Sequence, residues 1–478
     1  MNKNNLKIQR SQTNILNDLA KLCHTVSAYK DKTLVKSYSA DWRGRLNNIA
    51  LCILFPSSAL EISKVVKYCN KNNINIIPQG GNTGLVYATS PSNNYKDIII
   101  NLKNLNKILR IDKVNKFIEV ESGVIIDALT DYVRDRNYLF PLLMASTGSS
   151  QIGGSIATNA GGMNVIKYGS TRQNVLSLEV VLANGKIINV GSNVIKDNSG
   201  YSLKDLFCGS EGTLGIITKA TMKIYPLPTS DLTCFISVNN IENVVNLYNK
   251  IENVFKENID RCELIPDIAF DLCKKHNFIE NHFFEIKQNF YILIKFSSFE
   301  KYNDFKDRIQ NYLLKLSKLY EDILFPQNLE QTSKFWKFRE NITEAQKLDG
   351  KIIPFDISIP LDSLDNFFKE SYKQINKILP NIKFCSFGHI GDSNIHYNLI
   401  EPEHCEKNFY MFEKTISNTI YNLVHKYSGS ISAEHGIGVL KKEELSKYKS
   451  KAELELMIKI KRAFDTENIL NRGKLFDV

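Results

Sequence analysis

The feature that most constrains this chain is a glycine-rich stretch at residues 148–169. It reads GSSQIGGSIATNAGGMNVIKYG and holds six of the chain's 24 glycines. Glycine has no Cβ, so the backbone here can turn tightly and approach a ligand closely. Successive backbone N–H groups in such a loop form a concave site for an anion. Residues 148–166 contain no Lys or Arg, so main-chain dipoles would hold a phosphate bound there. The alternative is a turn that only lets neighbouring elements pack, and the stretch alone does not decide.

A second uncharged glycine loop lies earlier in the chain. A short apolar strand at 50–55 is followed by the helix-start signal Pro56-Ser57-Ser58, an amphipathic helix and a strand at 74–77. That strand runs into PQGGNTG at 78–84, so the loop stands at the carboxyl end of a βαβ unit, where nucleotides commonly bind. Two such loops predict one extended anionic ligand held from two sides. Neither has the G-x-G-x-x-G or P-loop pattern, which argues against an ordinary dinucleotide fold and a P-loop fold.

The rest of the amino-terminal half predicts alternating short strands. Asn184-Gly185 is a strong two-residue hairpin signal. A glycine-rich segment at 209–217 leads into a strand that ends at Pro226-Leu227-Pro228, and the chain beyond is aromatic and helical with few glycines until 384. With 478 residues, two or three domains are expected. We therefore predict a boundary that divides residues 1–228 from residues 229–478.

Composition excludes several classes of protein. The hydrophobic fraction of 43% and the charged fraction of 23% are typical of a globular protein. Apolar runs such as 49–55 fall far short of the ~20 residues that cross a bilayer, and the amino terminus lacks the apolar core of a signal peptide. We expect a cytoplasmic protein, or one that touches a membrane only at its surface. Nine cysteines without a CxxC pair indicate neither a zinc ribbon nor an iron–sulfur site. The net charge of +10 is spread out, and its densest part, 441–462, is read as a solvated helix face and not a nucleic-acid patch.

A histidine pair marks the carboxyl-terminal half. In FGHIGDSNIHYNL, His389 and His396 flank a turn. If Asp392-Ser393 is the tip of a two-residue hairpin, the two histidines pair across it with Cβ atoms ~5 Å apart. That separation suits two imidazoles binding one metal ion, and Glu434, beside His435 in SAEHGIG, offers a carboxylate as third ligand. The alternative for each histidine alone is a core residue satisfied by hydrogen bonds.

An arginine supplies a further candidate. In FWKFRENITEAQ, Arg339 and Thr343 stand at i and i+4 of a predicted helix and share a face. A planar guanidinium can hold a carboxylate by two parallel hydrogen bonds. From the residues alone, a surface arginine paired with Glu340 or Glu344 is the favoured interpretation.

Three segments together resemble flavoproteins of the vanillyl-alcohol oxidase type: PQGGNTGL at 78–85, GSSQIGGSIATNAGG at 148–162 and LFCGSEGTLGIIT at 206–218. Within that group the chain is similar to the branch of D-2-hydroxyglutarate dehydrogenase, D-lactate dehydrogenase and glycolate oxidase. The resemblance implies an α+β fold. Residues 1–228 would form a two-subdomain FAD-binding domain of the PCMH type. Residues 229–478 would form an α+β substrate (cap) domain with an antiparallel sheet, and its last ~20 residues would return to the FAD domain.

The same resemblance implies FAD as the cofactor. Tethered relatives use a His or Cys in these loops, whereas this chain has Ser149, Ser150 and Gln151, so we expect non-covalent FAD. Relatives often have Gly-Gly-Ser where this chain has Tyr-Ala-Thr at 87–89, which would alter the loop beyond the pyrophosphate. The residues implied to bind FAD are Pro78, Gly80, Gly81, Asn82, Thr83, Gly84, Leu85, Gly148, Ser149, Gly153, Gly154, Ser155, Asn159, Gly162, Gly215, Ile217 and Asn471.

Relatives carry GHxGDGNxH and SxEHGxG as metal ligands and base. The resemblance therefore implies Zn²⁺ held by His389, His396 and Glu434, with His435 removing the proton of the substrate hydroxyl. It further implies that Arg339 and Thr343 bind the substrate carboxylate and that Asn398 contacts the substrate. We expect oxidation of a D-2-hydroxy acid to the 2-oxo acid by hydride transfer to the flavin.

Departures from the family pattern bear on the substrate. Relatives specific for 2-hydroxyglutarate often have a Lys where this chain has Pro354, two positions before Asp356, so a basic contact is missing unless Lys351 supplies it. We rank 2-hydroxyglutarate slightly above D-lactate. Ser393 stands for Gly and Arg472 for Pro, and the first could loosen the turn that aligns the histidines.

Other functions stay open from the sequence. One is a glycolate-oxidase-like subunit that needs iron–sulfur partner chains. Another is a metal-dependent hydrolase using Glu434 and the two histidines, and a third is a flavin-binding scaffold without turnover. The electron acceptor (a quinone, an electron-transfer flavoprotein or a cytochrome), the identity of the metal and a homodimeric state are not decided.

Overall fold

The computed structural model describes the chain outside residues 1–2, 24–25, 28–31, 42–43, 45, 47, 93–96, 404 and 406–407, with the backbone alone for 3–11, 26–27 and 32. The chain forms two compact units. The first comprises Met1–Gly161, Ser170–Leu227 and Glu434–Val478, and the second comprises Gly162–Gly169 and Pro228–Ala433.

The helices and strands alternate along both units. The helices are α1 (Lys3–Leu22), α2 (Lys32–Ser39), α3 (Ala59–Asn72), α4 (Ile126–Arg134), α5 (Ile152–Ala157), α6 (Val165–Tyr168), α7 (Thr171–Asn174), α8 (Leu203–Phe207), α9 (Ile241–Phe255), α10 (Ile268–Lys275), α11 (Tyr302–Lys315), α12 (Leu329–Asp349), α13 (Leu364–Ile378), α14 (Glu413–Lys426), α15 (Lys442–Tyr448) and α16 (Lys451–Phe464). The strands are β1 (Val26–Ser27), β2 (Cys52–Leu54), β3 (Ile76–Gln79), β4 (Ile98–Asn101), β5 (Ile108–Asp112), β6 (Phe117–Glu121), β7 (Tyr138–Leu139), β8 (Val175–Val181), β9 (Ile187–Gly191), β10 (Ile216–Lys223), β11 (Tyr225–Pro226), β12 (Ser230–Val238), β13 (Ile259–Pro266), β14 (Phe290–Ser298), β15 (Asp322–Leu324), β16 (Ile352–Ser358), β17 (Lys383–His389) and β18 (Asn394–Ile400).

The first unit contains a four-stranded sheet in the order β1-β2-β4-β3. The predicted strand–helix–strand segment is present as β2, α3 and β3, and Ser58 caps α3 by accepting a hydrogen bond from the backbone N–H of Glu61. Both strands run parallel to β4, which lies between them. The segment after α16 adds to this sheet, because the N–H of Ile76 donates to Ile469 O and the N–H of Asn471 donates to Ile76 O.

A five-stranded antiparallel sheet, in the order β5-β6-β10-β8-β9, completes the core of the first unit. A hairpin joins β8 to β9 where it was predicted, but its loop has three residues, 183–185, and not two, because the N–H of Leu182 donates to Lys186 O at 2.9 Å. Gly185 closes this loop at φ +78°, which glycine adopts without strain. Helices α4 and α5 pack on the sheet through Leu129, Ile152 and other fully buried side chains.

The second unit is built on a seven-stranded sheet in the order β15-β12-β14-β13-β17-β18-β16, whose pairs are all antiparallel. Helices α10 and α12 cover one face with an aromatic core that includes Phe270 and Phe338. On the other face, Phe367 of α13 packs against Tyr397 of β18. The mixed helices and antiparallel sheets confirm the predicted α+β class.

Candidate active site

The two predicted glycine loops of the first unit lie against each other. A Cβ placed on Gly81 would stand 1.9 Å from the carbonyl oxygen of Ser149, so only glycine allows this approach. The hydroxyls of Thr83 and Ser150 are 3.0 Å apart and hydrogen-bonded. A Cβ on Gly153 would lie 2.7 Å from that of Ser122, which brings the start of α5 close to the segment after β6.

The space beside these loops suits an anionic ligand. A Cβ added to Gly84 or Gly154 would meet no atom within 4 Å. Within the described part of the chain, the backbone N–H groups of residues 80–85 donate to no other group, and the buried Oε1 of Gln151 has no partner. Consecutive unpaired N–H groups form a nest for a phosphate. The loops therefore fit the diphosphate of a dinucleotide without any cationic side chain.

The other residues predicted to bind FAD occupy different surroundings. Asn471 donates from Nδ2 to Glu211 O at 2.6 Å, and Asn159 accepts from the N–H of Arg172 at 2.9 Å. Gly215 is a packing position, because a Cβ there would lie 2.5 Å from Val180. Gly162 belongs to the second unit, unlike the rest of the set. The remaining members, Pro78, Gly80, Asn82, Leu85, Gly148, Ser149, Ser155 and Ile217, lie in the first unit, the last as a buried residue of β10.

Glu211 anchors the loop that carries the predicted base. Its buried carboxylate accepts hydrogen bonds from the N–H groups of Ile437 at 2.7 Å and Gly438 at 2.8 Å. A Cβ on Gly436 would lie 2.6 Å from Glu211 Oε1, and φ there is +83°. Burial raises the pKa of Glu211, although the two N–H groups oppose this. Glu211 thus fixes the backbone immediately after His435.

In the second unit, His396 lies on β18, which pairs with β16 on one side and β17 on the other. It stands opposite Asp356 of β16 on one side and opposite Phe387 of β17 on the other. The prediction that His389 pairs directly across from His396 is wrong. Instead, His389 pairs with Glu263 of β13.

The reason lies in the turn between β17 and β18. It is a 3₁₀ turn at Ile390–Asp392 followed by Ser393 at φ +66°, and not a two-residue hairpin. A Cβ on Gly388 would stand 2.3 Å from Asn394 O, so glycine lets β17 cross close to β18 as it turns toward β13. The two imidazoles still meet, with ring centroids 5.4 Å apart.

Glu263 links His389 to Arg339, and the sequence analysis did not identify it. Its carboxylate is fully buried and accepts from Nδ1 of His389 at 2.6 Å and from Nε of Arg339 at 2.7 Å, with Nη2 of Arg339 at 2.6 Å. Burial opposes ionisation, but the charges of Arg339 and His389 outweigh it and lower the pKa of Glu263 to about 2. An acidic residue between apolar neighbours of a strand, as in RCELIP, is the signal that could have identified it.

Arg339 is buried, with 7% of its surface exposed, and lies over the ring of Phe387 at 4.5 Å. Its ion-pair partner is Glu263, and not Glu340 or Glu344 as the residues alone suggested. A guanidinium has five N–H donors, and Glu263 takes one from Nε and one from Nη2. The edge formed by Nη1 and Nη2 therefore keeps donors for a second carboxylate. Thr343, one turn further along α12, has an exposed side chain.

Polar groups continue along the same face of β18. Asn398 is buried and donates from Nδ2 to Oε1 of Gln346 on α12 at 2.8 Å. Asn394 donates to Asp356 Oδ1 at 2.9 Å, and that oxygen lies 3.9 Å from Nδ1 of His396. Burial raises the pKa of Asp392, in the turn, to about 6, and the negative charge of Glu263 adds to the effect while His389 opposes it.

The histidine pair fits a metal ion. Each imidazole has a carboxylate on its Nδ1 side, Glu263 for His389 and Asp356 for His396. A proton held on Nδ1 leaves the lone pair on Nε2, and such carboxylate–histidine pairs orient metal ligands. Glu434 and His435 belong to the first unit, and their roles stay predictions.

The structure also shows the surroundings of the residues that were expected to influence substrate choice. Pro354 lies opposite Asn398. Lys351, the alternative basic residue, is ion-paired with Glu401 at 3.1 Å. Two departures from the family pattern fall on left-handed backbone, Tyr87 at φ +64° and Ser393 at φ +66°, which explains why relatives have glycine there. Arg472 donates from Nε to Asn468 O at 2.7 Å within the carboxyl-terminal segment.

Comparisons with known proteins identify the family of this chain. Residues 227–475 match the family described as FAD linked oxidases, C-terminal domain, and residues 50–191 match the FAD binding domain family. The chain is 34% identical over 448 residues to the mitochondrial D-2-hydroxyglutarate dehydrogenase of Arabidopsis thaliana, covering 93% of this chain and 78% of that one. It is 30% identical over 470 residues to D-2-hydroxyglutarate dehydrogenase of Stutzerimonas stutzeri, covering 97% and 98%.

Solved structures show the same fold at low identity. A crystal structure of p-cresol methylhydroxylase with substrate bound matches with a TM-score of 0.77 and 15% identity, covering 98% of this chain and 97% of that chain. Among the helices described here, none has the length and apolar character needed to cross a membrane. The FAD-binding prediction and the resemblance to vanillyl-alcohol-oxidase-type flavoproteins are confirmed. The chain belongs to the FAD-linked oxidases.

Proposed function

We propose that this protein oxidises a D-2-hydroxy acid to the 2-oxo acid with FAD, and that D-2-hydroxyglutarate is favoured over D-lactate. The observation that carries the proposal is the buried Glu263, which holds both Arg339 and His389. Glu263 thereby holds the guanidinium of Arg339, whose free edge can bind a substrate carboxylate. It also holds the imidazole of His389, which with His396 would lie near the substrate hydroxyl. The substrate class agrees with relatives that are 30–34% identical and named D-2-hydroxyglutarate dehydrogenases.

Bound FAD would supply the redox chemistry by accepting a hydride from the substrate carbon. The residues proposed to hold it are those of the two glycine loops, with the unpaired N–H groups of residues 80–85 toward its diphosphate. Non-covalent attachment is proposed because no His or Cys stands in these loops.

The substrate would be bound and deprotonated by side chains of this chain. Arg339 takes the carboxylate through its Nη1–Nη2 edge, and Asn398 orients the substrate by hydrogen bonding. Thr343 contributes from one helical turn beyond Arg339 when substrate is bound. His435 accepts the hydroxyl proton as the general base.

A metal ion, Zn²⁺, is proposed at His389, His396 and Glu434. Two histidines and one carboxylate form a common open zinc site, where the metal lowers the pKa of a coordinated hydroxyl. The carboxylates of Glu263 and Asp356 would fix the Nε2 tautomers that such ligation requires. The cytoplasmic location, the electron acceptor and the homodimer stay predictions.

The test is steady-state reduction of an artificial dye by D-2-hydroxyglutarate, L-2-hydroxyglutarate and D-lactate. We expect wild-type protein to turn over D-2-hydroxyglutarate and to be inactive with the L enantiomer. His435→Asn should abolish turnover while the protein stays yellow. A colourless wild-type protein, or a His435→Asn variant with substantial turnover, would contradict the proposal.

A further inference from the structure

A second arginine, Arg261, lies on β13 two residues before Glu263. Alternate residues of a strand point to the same face, so Arg261 and Glu263 both point to the face that α12 covers. Arg261 lies over the ring of Trp336 at 5.1 Å and donates from Nε to Asn164 Oδ1 at 2.9 Å. It is half-buried, unlike the fully buried Glu263.

The two guanidiniums are neighbours on this face. Arg339 follows Trp336 by three residues on α12, a spacing that places side chains about 5–6 Å apart at Cβ. Each guanidinium lies over an aromatic ring, Trp336 for Arg261 and Phe387 for Arg339. Arg261 and Arg339 therefore both lie on the face of the sheet that carries the carboxylate of Glu263.

Arg339 and Arg261 differ in whether a carboxylate neutralises the charge of the guanidinium. Glu263 forms a buried ion pair with Arg339. Among the residues that the structure describes, the terminal nitrogens of Arg261 form neither an ion pair nor a hydrogen bond. A half-buried cation whose planar fork lacks a carboxylate can bind one from a ligand.

We propose that Arg261 binds the second carboxylate of a dicarboxylic D-2-hydroxy acid whose first carboxylate is held by Arg339. This inference rests on the proposed function and deepens it. It accounts for the position where relatives specific for 2-hydroxyglutarate often have Lys and this chain has Pro354. Lys351 does not fill that role, because it is paired with Glu401. Arg261 supplies the cation from β13 instead of β16.

The assignment predicts a difference between two substrates. Losing a charge-assisted hydrogen bond to a substrate carboxylate costs roughly 10- to 100-fold in binding. D-2-hydroxyglutarate would lose this contact in an Arg261 variant, whereas D-lactate has no second carboxylate to lose. A role confined to packing against Trp336 would affect the two substrates equally.

The experiment measures kcat and KM for D-2-hydroxyglutarate and D-lactate in wild type, Arg261→Met and Arg261→Lys. We expect Arg261→Met to lower kcat/KM for D-2-hydroxyglutarate about 10- to 100-fold, mainly through KM, and to leave D-lactate within about 3-fold. Arg261→Lys should restore part of the loss because it keeps the charge. Arg308→Met is the matched control, since Arg308 also lies over an aromatic ring, Phe255 at 5.0 Å, and pairs with Glu300 on the surface. It should change neither substrate.

A measurement on wild type removes any dependence on how the variants fold. Glutarate should inhibit competitively at a concentration at least about 10-fold lower than butyrate, because only glutarate offers two carboxylates. Equal inhibition by the two acids, or equal loss with both substrates in Arg261→Met, would overturn the assignment of Arg261. Dye reduction with neither D-2-hydroxyglutarate nor D-lactate in wild type would instead overturn the proposed function.

Discussion

Removing the carboxylate of Glu263 should destabilise the second unit strongly. In Glu263→Ala, Arg339 and His389 lose the group that accepts three of their N–H contacts at 2.6–2.7 Å. Breaking a buried ion pair by deleting one partner costs about 3–5 kcal/mol, because the other charge stays buried without compensation. Although burial opposes ionisation, the charges of Arg339 and His389 lower the pKa of Glu263 to about 2, so the carboxylate of the pair is ionised at neutral pH.

The chain contains a matched control for this prediction. Glu300 pairs with Arg308 at the same distance of 2.6 Å, but both side chains are more than 40% exposed. A surface pair contributes about 0–1 kcal/mol. Glu300→Ala therefore removes the same kind of ion pair from the same unit, but at an exposed position. The difference in the free energy of unfolding between the two variants then measures the effect of burial.

Urea unfolding followed by tryptophan fluorescence measures both variants, since Trp336 belongs to the core beside Arg339. We expect Glu263→Ala to lower the free energy of unfolding by about 3–5 kcal/mol, Glu263→Gln by less, and Glu300→Ala by at most about 1 kcal/mol. Zinc affinity should also fall in Glu263→Ala, as expected for a residue that orients a ligand. Equal urea midpoints for Glu263→Ala and Glu300→Ala would refute the reasoning.

Three further predictions follow from backbone geometry and burial. Gly81→Ala should abolish FAD binding, measured as flavin absorbance per protein, because its Cβ would stand 1.9 Å from a carbonyl oxygen. The control Gly350→Ala, whose Cβ would have its nearest neighbours at 3.8 Å, should keep its flavin. Ser393→Gly should raise the free energy of unfolding by about 0.5–1 kcal/mol in a urea titration by relieving a left-handed residue, and an unchanged or lower value would count against it. Burial lowers the pKa of Lys474 to about 8. Between pH 8 and 10.5 the unfolded lysine keeps a proton that the folded one has lost. The free energy of unfolding of wild type should therefore rise by up to about 3 kcal/mol relative to Lys474→Met across this pH range. Parallel pH profiles of the two proteins would contradict this.

Local signals were enough for much of the first unit. Ser58 as a helix cap, the strands around α3 and the Asn184-Gly185 turn depend on neighbours within a few residues, so the sequence predicts them. The closeness of the glycine loops was inferred from their shared lack of charge. The structure gives the physical reason, which is contact between Gly81 and Ser149.

The site in the second unit was less predictable because its pairings are long-range. His389 lies opposite Glu263, which is 126 residues away in sequence, and no local pattern specifies that β13 is the neighbour of β17. The hairpin assumption failed because Gly388 directs β17 away from β18. Arg339 had nearer acidic residues in sequence, but burial on the sheet selected a distant one.

Departures from the family pattern were informative in a different way. Tyr87 and Ser393 stand where relatives have glycine, and both adopt left-handed backbone that costs roughly 1–2 kcal/mol for a residue with a Cβ. The sequence identified the positions, and the structure supplies the reason. It cannot be read from the residues alone, because φ depends on how each turn closes.

We expect a flavin bound by the glycine loops to be reduced by a D-2-hydroxy acid held by Arg339, Glu263 and His389. The most direct measurement is anaerobic mixing of the purified yellow protein with D- or L-2-hydroxyglutarate while the visible flavin absorbance is recorded, with and without prior chelator treatment. We predict rapid bleaching with the D enantiomer alone and slower bleaching after metal removal. A flavin that stays oxidised with the D enantiomer, or bleaches equally with both, would contradict the account.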